Sequence, residues 1–220
     1  MNIELKKRII TSIFLITLLI LMSLYTYVLI SSLIIIGIIA WIEFYALISK
    51  IYKNAVLRFI LKGISLLYLS FVILIIIFSK LNFPNLYILI LYVVLISIMT
   101  DIGGLIIGKT FKGKKLTKIS PNKTISGSIG SFIFSLFLIP FFFEFLKWYV
   151  DMSLIAIVLI TLFISFISQL GDLFISLIKR KANVKNTSDI LPGHGGILDR
   201  IDGIIFSIPS GFIVFYCTYI

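Results

Sequence analysis

Apolar runs of span length alternate with short polar breaks along this 220-residue chain. A hydrocarbon core about 30 Å thick takes roughly 20 residues of helix to cross. The pattern predicts spans over 9–26, 29–48, 60–79, 86–108, 128–146, 153–178 and 203–219. The first two are poorly separated, because residues 9–48 are nearly continuous in apolarity, and Tyr25, Thr26, Ser31 and Ser32 mark the turn between them. The expected fold is therefore all-α: a polytopic transmembrane helix bundle of about seven spans, forming a single integral-membrane domain over 1–220. Within it, 1–96 supplies N-terminal spans and 97–220 supplies catalytic spans with two substantial polar loops, 109–127 and 179–202.

Composition agrees. The chain is 60% hydrophobic and 13% charged, with a mean hydropathy of +1.18, which leaves no room for a separate soluble domain. Met1–Arg8 is polar and basic and runs into a long apolar stretch without a clear small-x-small cleavage site, so it reads as a retained first span. The net charge of +11 would suit an anionic partner in a soluble protein; here its distribution decides. With Lys6, Lys7 and Arg8 in the cytoplasm, eighteen of the twenty Lys and Arg fall on cytoplasmic segments, and only Lys80 and Lys147 lie outside. This is the positive-inside asymmetry, and it predicts a cytoplasmic N-terminus with both polar loops on the same side. The partners expected are then a bilayer and small anionic substrates, with no nucleic acid. Cys217 is the only cysteine, so an intramolecular disulfide and a Cys-rich metal site are excluded.

Three carboxylates stand inside apolar spans: Glu43, Asp101 and Asp172. A charge at mid-bilayer costs roughly 2.5–3.5 kcal/mol on insertion scales, so each needs a reason. All three lie toward the cytoplasmic ends of their spans; Asp101, for example, precedes Lys109 by about 12 Å of helical rise. Asp199 and Asp202 open the last span from the same side, so four helices bring carboxylates to a similar depth; separate helix-packing hydrogen bonds are the alternative. Asp172 belongs to a longer pattern. Ser165, Ser168, Gln169, Asp172, Ser176, Lys179 and Arg180 recur at three- and four-residue steps and draw one polar stripe down a helix that is otherwise Ile, Leu and Phe. Lipid cannot solvate such a stripe, so it is expected to face the bundle interior or a water-filled cavity.

The stripe runs into the densest polar segment of the chain: Lys179-Arg180, Lys185, then Pro192-Gly193-His194-Gly195-Gly196, Asp199-Arg200 and Asp202. Asp199 and Asp202, three residues apart at a helix start, are expected to share a face. With Asp172 they make an all-oxygen donor set suited to Mg²⁺ rather than Zn²⁺. Lys179, Arg180, Lys185 and Arg200 can neutralise phosphates. Gly193, Gly195 and Gly196 permit close backbone approach and can turn amides toward an anion. Together these indicate phosphoryl or nucleotidyl transfer. Taken singly each has a plainer explanation: a topogenic basic cluster for Lys179–Lys181, a loop turn for Gly195-Gly196, a hydrogen-bonding loop residue for His194. The loop at 109–127 has no Walker A motif; its lysines mixed with Gly and hydroxyls suit phosphates or headgroups, and taken alone the segment reads as a solvated basic loop.

The spacing Ser176-x-x-Lys179-Arg180-x4-Lys185, followed by Leu191-Pro192-Gly193-His194-Gly195-Gly196-x-x-Asp199-Arg200-x-Asp202, resembles the signature of the phosphatidate cytidylyltransferase (CDP-diacylglycerol synthase) family. Asp101, Gly108-Lys109, Ser120-Pro121-x-Lys123-Thr124-x-x-Gly127, the Ile9-Ile10-Thr11 entry and the Glu43-Phe44 pair are similar too. The resemblance implies an enzyme of phospholipid biosynthesis in the cell's inner (plasma) membrane, taking CTP and phosphatidic acid to CDP-diacylglycerol and pyrophosphate with Mg²⁺. It implies metal binding at Asp172, Asp199, Asp202 and Asp101. Catalytic roles would fall to Lys179, Arg180, Lys185, His194 and Arg200, and substrate contacts to Ser120, Lys123, Thr124, Ser176, Gly195 and Gly196. Where the family pattern usually has Asp after the Lys at position 185, this chain has Asn186, which keeps an oxygen there. Competing readings are another CTP-dependent membrane lipid enzyme, such as a polyprenol kinase or an archaeal-type lipid cytidylyltransferase, and a non-enzymatic transporter or assembly partner. A homodimer is left open.

Overall fold

The computed structural model describes residues 3–117, 120, 123–149, 152–193 and 195–219. Among these it is helical throughout, with isolated bridges at Lys115–Thr124 and Leu191–Gly195 and no β-strand. The helices are α1 (Ile3–Leu24), α2 (Thr26–Ile51), α3 (Ala55–Asn82), α4 (Pro84–Phe111), α5 (Ile125–Leu136), α6 (Ile139–Tyr149), α7 (Leu154–Lys181), α8 (Leu198–Ile201) and α9 (Ile204–Tyr219). Six helical stretches among the described residues are long and apolar enough to cross a membrane, and α1 adds a shorter apolar run, Ile9–Leu24. This is the all-helical, multi-pass architecture that the hydrophobic pattern predicts. Large apolar side chains such as Tyr27, Phe59 and Phe141 stand almost fully exposed on helix faces, as lipid-facing residues do.

Boundaries follow local chemistry. The first two helices part at Tyr25, which takes an extended conformation, at the turn marked in the sequence. The span expected over 128–146 is one apolar stretch, Ile125–Glu144, with a turn at Phe137–Leu138 inside it. Helix α5 ends at Leu136, and α6 begins at Ile139 with Pro140 as its second residue. Proline has no N–H to return to the carbonyl four residues back, so it is tolerated in a first helical turn and not in a helix interior. The expectation that Asp199 and Asp202 open one helix and share a face is also corrected. Asp199 lies in the four-residue α8, while Asp202 and Gly203 form the turn before α9. The Gly203 amide donates to Asp202 Oδ1 at 2.9 Å, a local side-chain bond of the kind that competes with helix continuation.

The chain forms two compact units that interleave along the sequence. The first comprises Met1–Ile77 with Ile178–Ile201. In it α2 buries one face through Leu29, Leu33, Ala40, Glu43 and Leu47, spaced by three, four and seven residues as one side of an α-helix requires. Helix α3 contributes Ser65, Leu69, Val72 and Ile75 in the same way.

The second unit comprises Phe78–Leu177 with Asp202–Ile220. Its core is Leu86, Leu89, Tyr92, Val93 and Ile96 of α4 with Ile139, Leu146, Ile157, Ile164 and Phe215. Helix α4 is buried on most sides, as an all-round apolar helix must be. Helices α4 and α5 approach almost to backbone contact: a Cβ added at Gly103 would lie 2.5 Å from the Gly130 carbonyl oxygen. Polar side chains inside this unit pair with one another. Tyr92 Oη lies 2.8 Å from Thr161 Oγ1, Thr100 donates to Ser165 Oγ at 2.8 Å, and Ser131 donates to the Thr100 carbonyl at 2.7 Å. Of the polar stripe of the sixth predicted span, Ser165, Ser168 and Ser176 are buried, as lipid exclusion demands, while Arg180 at its end is exposed.

Candidate active site

Each unit carries part of the predicted polar machinery. In the first, the segment after α7 is folded by carboxylates. The last turn of α7 brings Lys179 to Asp199 Oδ1 at 2.6 Å, with both side chains largely buried. The other oxygen of Asp199 accepts from the Thr187 amide at 2.9 Å and the Gly196 amide at 3.1 Å, and it lies 3.1 Å from the Thr187 hydroxyl, whose single proton it shares with Glu43. Asp199 thus ties the two ends of the loop together and attaches them to α7.

Glu43 does the same from α2. It is only 3% exposed. Its Oε1 accepts from the Ser188 hydroxyl at 2.6 Å and the Ile197 amide at 3.0 Å. Its Oε2 accepts from the Thr187 hydroxyl and the Leu198 amide, each at 2.8 Å. An ionised carboxylate away from water is tolerated only when its lone pairs are met, and these four donors meet them. A further tie comes from α1, where Thr11 Oγ1 donates to the Pro192 carbonyl at 3.1 Å.

The glycines acquire reasons. Gly195 has φ +84, a left-handed conformation that costs a side chain energy, and its amide and carbonyl pair with Leu191 to close the Pro192–Gly193 turn. At Gly196 a Cβ would stand 1.9 Å from Thr187 Oγ1 and 2.6 Å from Glu43 Oε2. Of the glycine amides, that of Gly196 faces an anion, the protein's own Asp199, while that of Gly195 faces the Leu191 carbonyl; the next two amides, of Ile197 and Leu198, face Glu43. Arg180 at the end of α7, and Lys185 and Arg200 beyond it, are exposed cations, and Asn186 is exposed beside Lys185. His194 lies outside the described residues.

In the second unit Lys123 pairs with Asp172 Oδ2, and Ser176 approaches Asp172 Oδ1 at 3.4 Å. Ser128 of α5 donates to Gln169 Oε1 at 2.5 Å, and the buried Ser168 Oγ and Gln169 Nε2 have no partner among the described residues. Thr124 caps α5: its hydroxyl oxygen accepts from the Gly127 amide at 3.0 Å. The loop before it closes on itself through Leu116 to Lys123 at 2.8 Å, Ile125 to Lys114 at 3.0 Å, and Lys123 to Ser120 at 3.0 Å, all between backbone groups. This leaves Lys109, Lys112, Lys114 and Lys115 exposed. Asp101 is exposed on α4, and Asp202 is buried in its turn.

The predicted residues therefore fall into two groups: Lys179, Asp199, Gly195 and Gly196 in the first unit, and Lys123, Thr124, Asp172 and Ser176 in the second. Thr187, Ser188 and Thr11 emerge only from the structure as fasteners. The signal for them was Glu43: a lone carboxylate in a 26-residue apolar helix requires several donors, and the hydroxyl pair Thr187-Ser188 is a ready source in the polar loop.

The predicted metal residues divide between the units, Asp199 in the first and Asp101, Asp172 and Asp202 in the second, and all offer oxygen donors of the kind a hard cation takes. Among the described residues no group of three or more His, Cys, Asp or Glu is placed to hold a metal ion. Asp199 and Asp172 each already neutralise a lysine.

A profile of the cytidylyltransferase family matches residues 4–218. The chain belongs to that family. Curated relatives of this cytidylyltransferase-family chain are similar over part of its length. A phosphatidate cytidylyltransferase of Bacillus subtilis (strain 168) is 45% identical over 111 residues, covering 50% of this chain and 40% of the relative. One of Staphylococcus haemolyticus is 44% identical over 125 residues, 54% of this chain and 46% of the relative. One of Rickettsia prowazekii is 42% identical over 127 residues, 54% of this chain and 53% of the relative. The chain thus spans about half the length of the curated relatives it matches.

Proposed function

We propose that the protein transfers CMP from CTP to phosphatidic acid, giving CDP-diacylglycerol and pyrophosphate, at the cytoplasmic face of the cell's inner membrane. The observation that carries this reading is the 179–202 segment. Its family signature is also a physical object, a loop fastened internally by Asp199 and Glu43 that leaves Arg180, Lys185 and Arg200 outward. The relatives named above carry the same activity in their names.

In the reaction a phosphate oxygen of the lipid attacks the α-phosphorus of CTP. A new P–O bond forms, the bond from the α-phosphorus to the bridging oxygen breaks, and pyrophosphate leaves with that electron pair. The nucleophile is already anionic, so no strong general base is required. The protein's part is to position two anions against each other and to neutralise the charge of the departing pyrophosphate. Arg180, Lys185 and Arg200 are the cations assigned to that work, Arg offering two parallel N–H donors to a phosphate. Nucleotidyltransferases generally use a divalent metal, and Mg²⁺, which keeps several waters and leans on substrate phosphates, is the ion this reading requires.

The test is pyrophosphate release by the purified full chain in phosphatidate-containing micelles. Release is expected only with CTP and phosphatidate together, abolished by EDTA and restored by Mg²⁺. CTP turnover with a polyprenol or an archaeal ether lipid, and none with phosphatidate, would replace this substrate assignment. No nucleotide turnover with any acceptor would overturn it.

A further inference from the structure

We infer that Glu43 is a positioning residue: it latches the 187–198 loop through the Thr187 hydroxyl and the Ile197 and Leu198 amides, and so sets where Lys185 and Arg200, the cations that flank the loop, stand. Glu43 sits 144 to 155 residues away in sequence from the groups it binds, so the contact is tertiary and is not made by the loop itself. Both its oxygens are taken up by donors, two on each. It is therefore committed to the loop, with no lone pair left over for a substrate or proton-transfer role.

Thr187 makes the latch a relay. Its hydroxyl lies 2.8 Å from Glu43 and 3.1 Å from Asp199, and Asp199 in turn holds Lys179. A displacement of Glu43 is thus passed through one hydroxyl to the carboxylate that anchors α7. Gly196 is the space this junction occupies, since any side chain there would collide with Thr187 and Glu43 together. The role of the residues rests on the proposed reaction; the existence of the latch does not.

The experiment combines steady-state kinetics in CTP with amide hydrogen exchange on the full chain in micelles. Glu43→Gln keeps size but turns one acceptor oxygen into a donor facing donors. It is expected to raise KM for CTP at least about fivefold and lower kcat at least about tenfold, because misplaced cations weaken both binding and turnover. Amides of 197–198 should exchange at least about tenfold faster, while α5 amides exchange as in the wild type. Thr187→Val should reproduce both effects, and Thr187→Ser, which keeps the hydroxyl, should restore them. A fall in kcat at unchanged KM, with exchange raised across both units, would show a smaller folded fraction and would overturn the positioning role. Wild-type kinetics and exchange in Glu43→Gln would overturn the latch itself. If the wild type turns over no CTP, the proposed reaction falls, and the exchange of amides 197–198 in Glu43→Gln and Thr187→Val still decides the latch.

Discussion

Asp199 accepts from one lysine and from the Thr187 and Gly196 amides, so its charge holds both ends of the signature segment. Asp199→Asn preserves size but removes the ion pair and presents an amide to groups that are themselves donors. Turnover should fall at least about a hundredfold, or about 2.7 kcal/mol of transition-state stabilisation, with membrane insertion intact. Pyrophosphate release at saturating CTP, normalised to folded protein, checks this. Asn186→Asp is the contrasting case. Position 186 is exposed and offers an oxygen either way, so activity should stay within about tenfold of wild type, about 1.4 kcal/mol; a gain of several orders of magnitude would show the natural residue to be impairing. Residue types and spacing made Lys179, Gly195, Gly196 and Asp199 legible as one cluster. They did not show that the Gly196, Ile197 and Leu198 amides would point at the protein's own carboxylates. Nothing in a spacing pattern says whether an amide's anion is a ligand or a side chain of the same chain.

At the level of elements, the spans were legible because lipid leaves the chain little choice: apolar residues in runs of span length must be helical. Two turns were not, since both depend on local competition that hydropathy averages away. One lies before Pro140 inside the fifth predicted span, and the Asp202–Gly203 turn separates α8 from α9. The packing of α4 on α5 was also hidden, because a glycine's value there lies in what the facing helix presents. Gly103→Ala places a methyl group against the Gly130 carbonyl and the Phe134 side chain. The helices must separate, at a cost of about 1–3 kcal/mol. A lower midpoint in a thermal unfolding scan in detergent, with Gly63→Ala unchanged because a Cβ there meets nothing within 4 Å, is the expected result.

For the molecule as a whole, the charge asymmetry predicts that both basic segments face one compartment. With Cys217 replaced by Ser, single cysteines at Lys114 and Asp189, both exposed, should react with a membrane-impermeant maleimide only when the cytoplasmic side is open to it. Labelling of either from the outer side in intact cells would invert the topology and remove the loops from CTP.

The tie between α2 and the Ile197–Leu198 amides also has a history in time. Glu43 leaves the ribosome about 155 residues before Leu198, which at roughly 5–20 residues per second is an interval of about 8–30 s. Throughout it the second helix carries a carboxylate whose four donors have not yet been synthesised. The nascent chain must keep that group hydrated at the membrane surface until residues 187–198 arrive. A chain stopped short of residue 187 would leave a helix with an unmet carboxylate for the cell's membrane quality control to find.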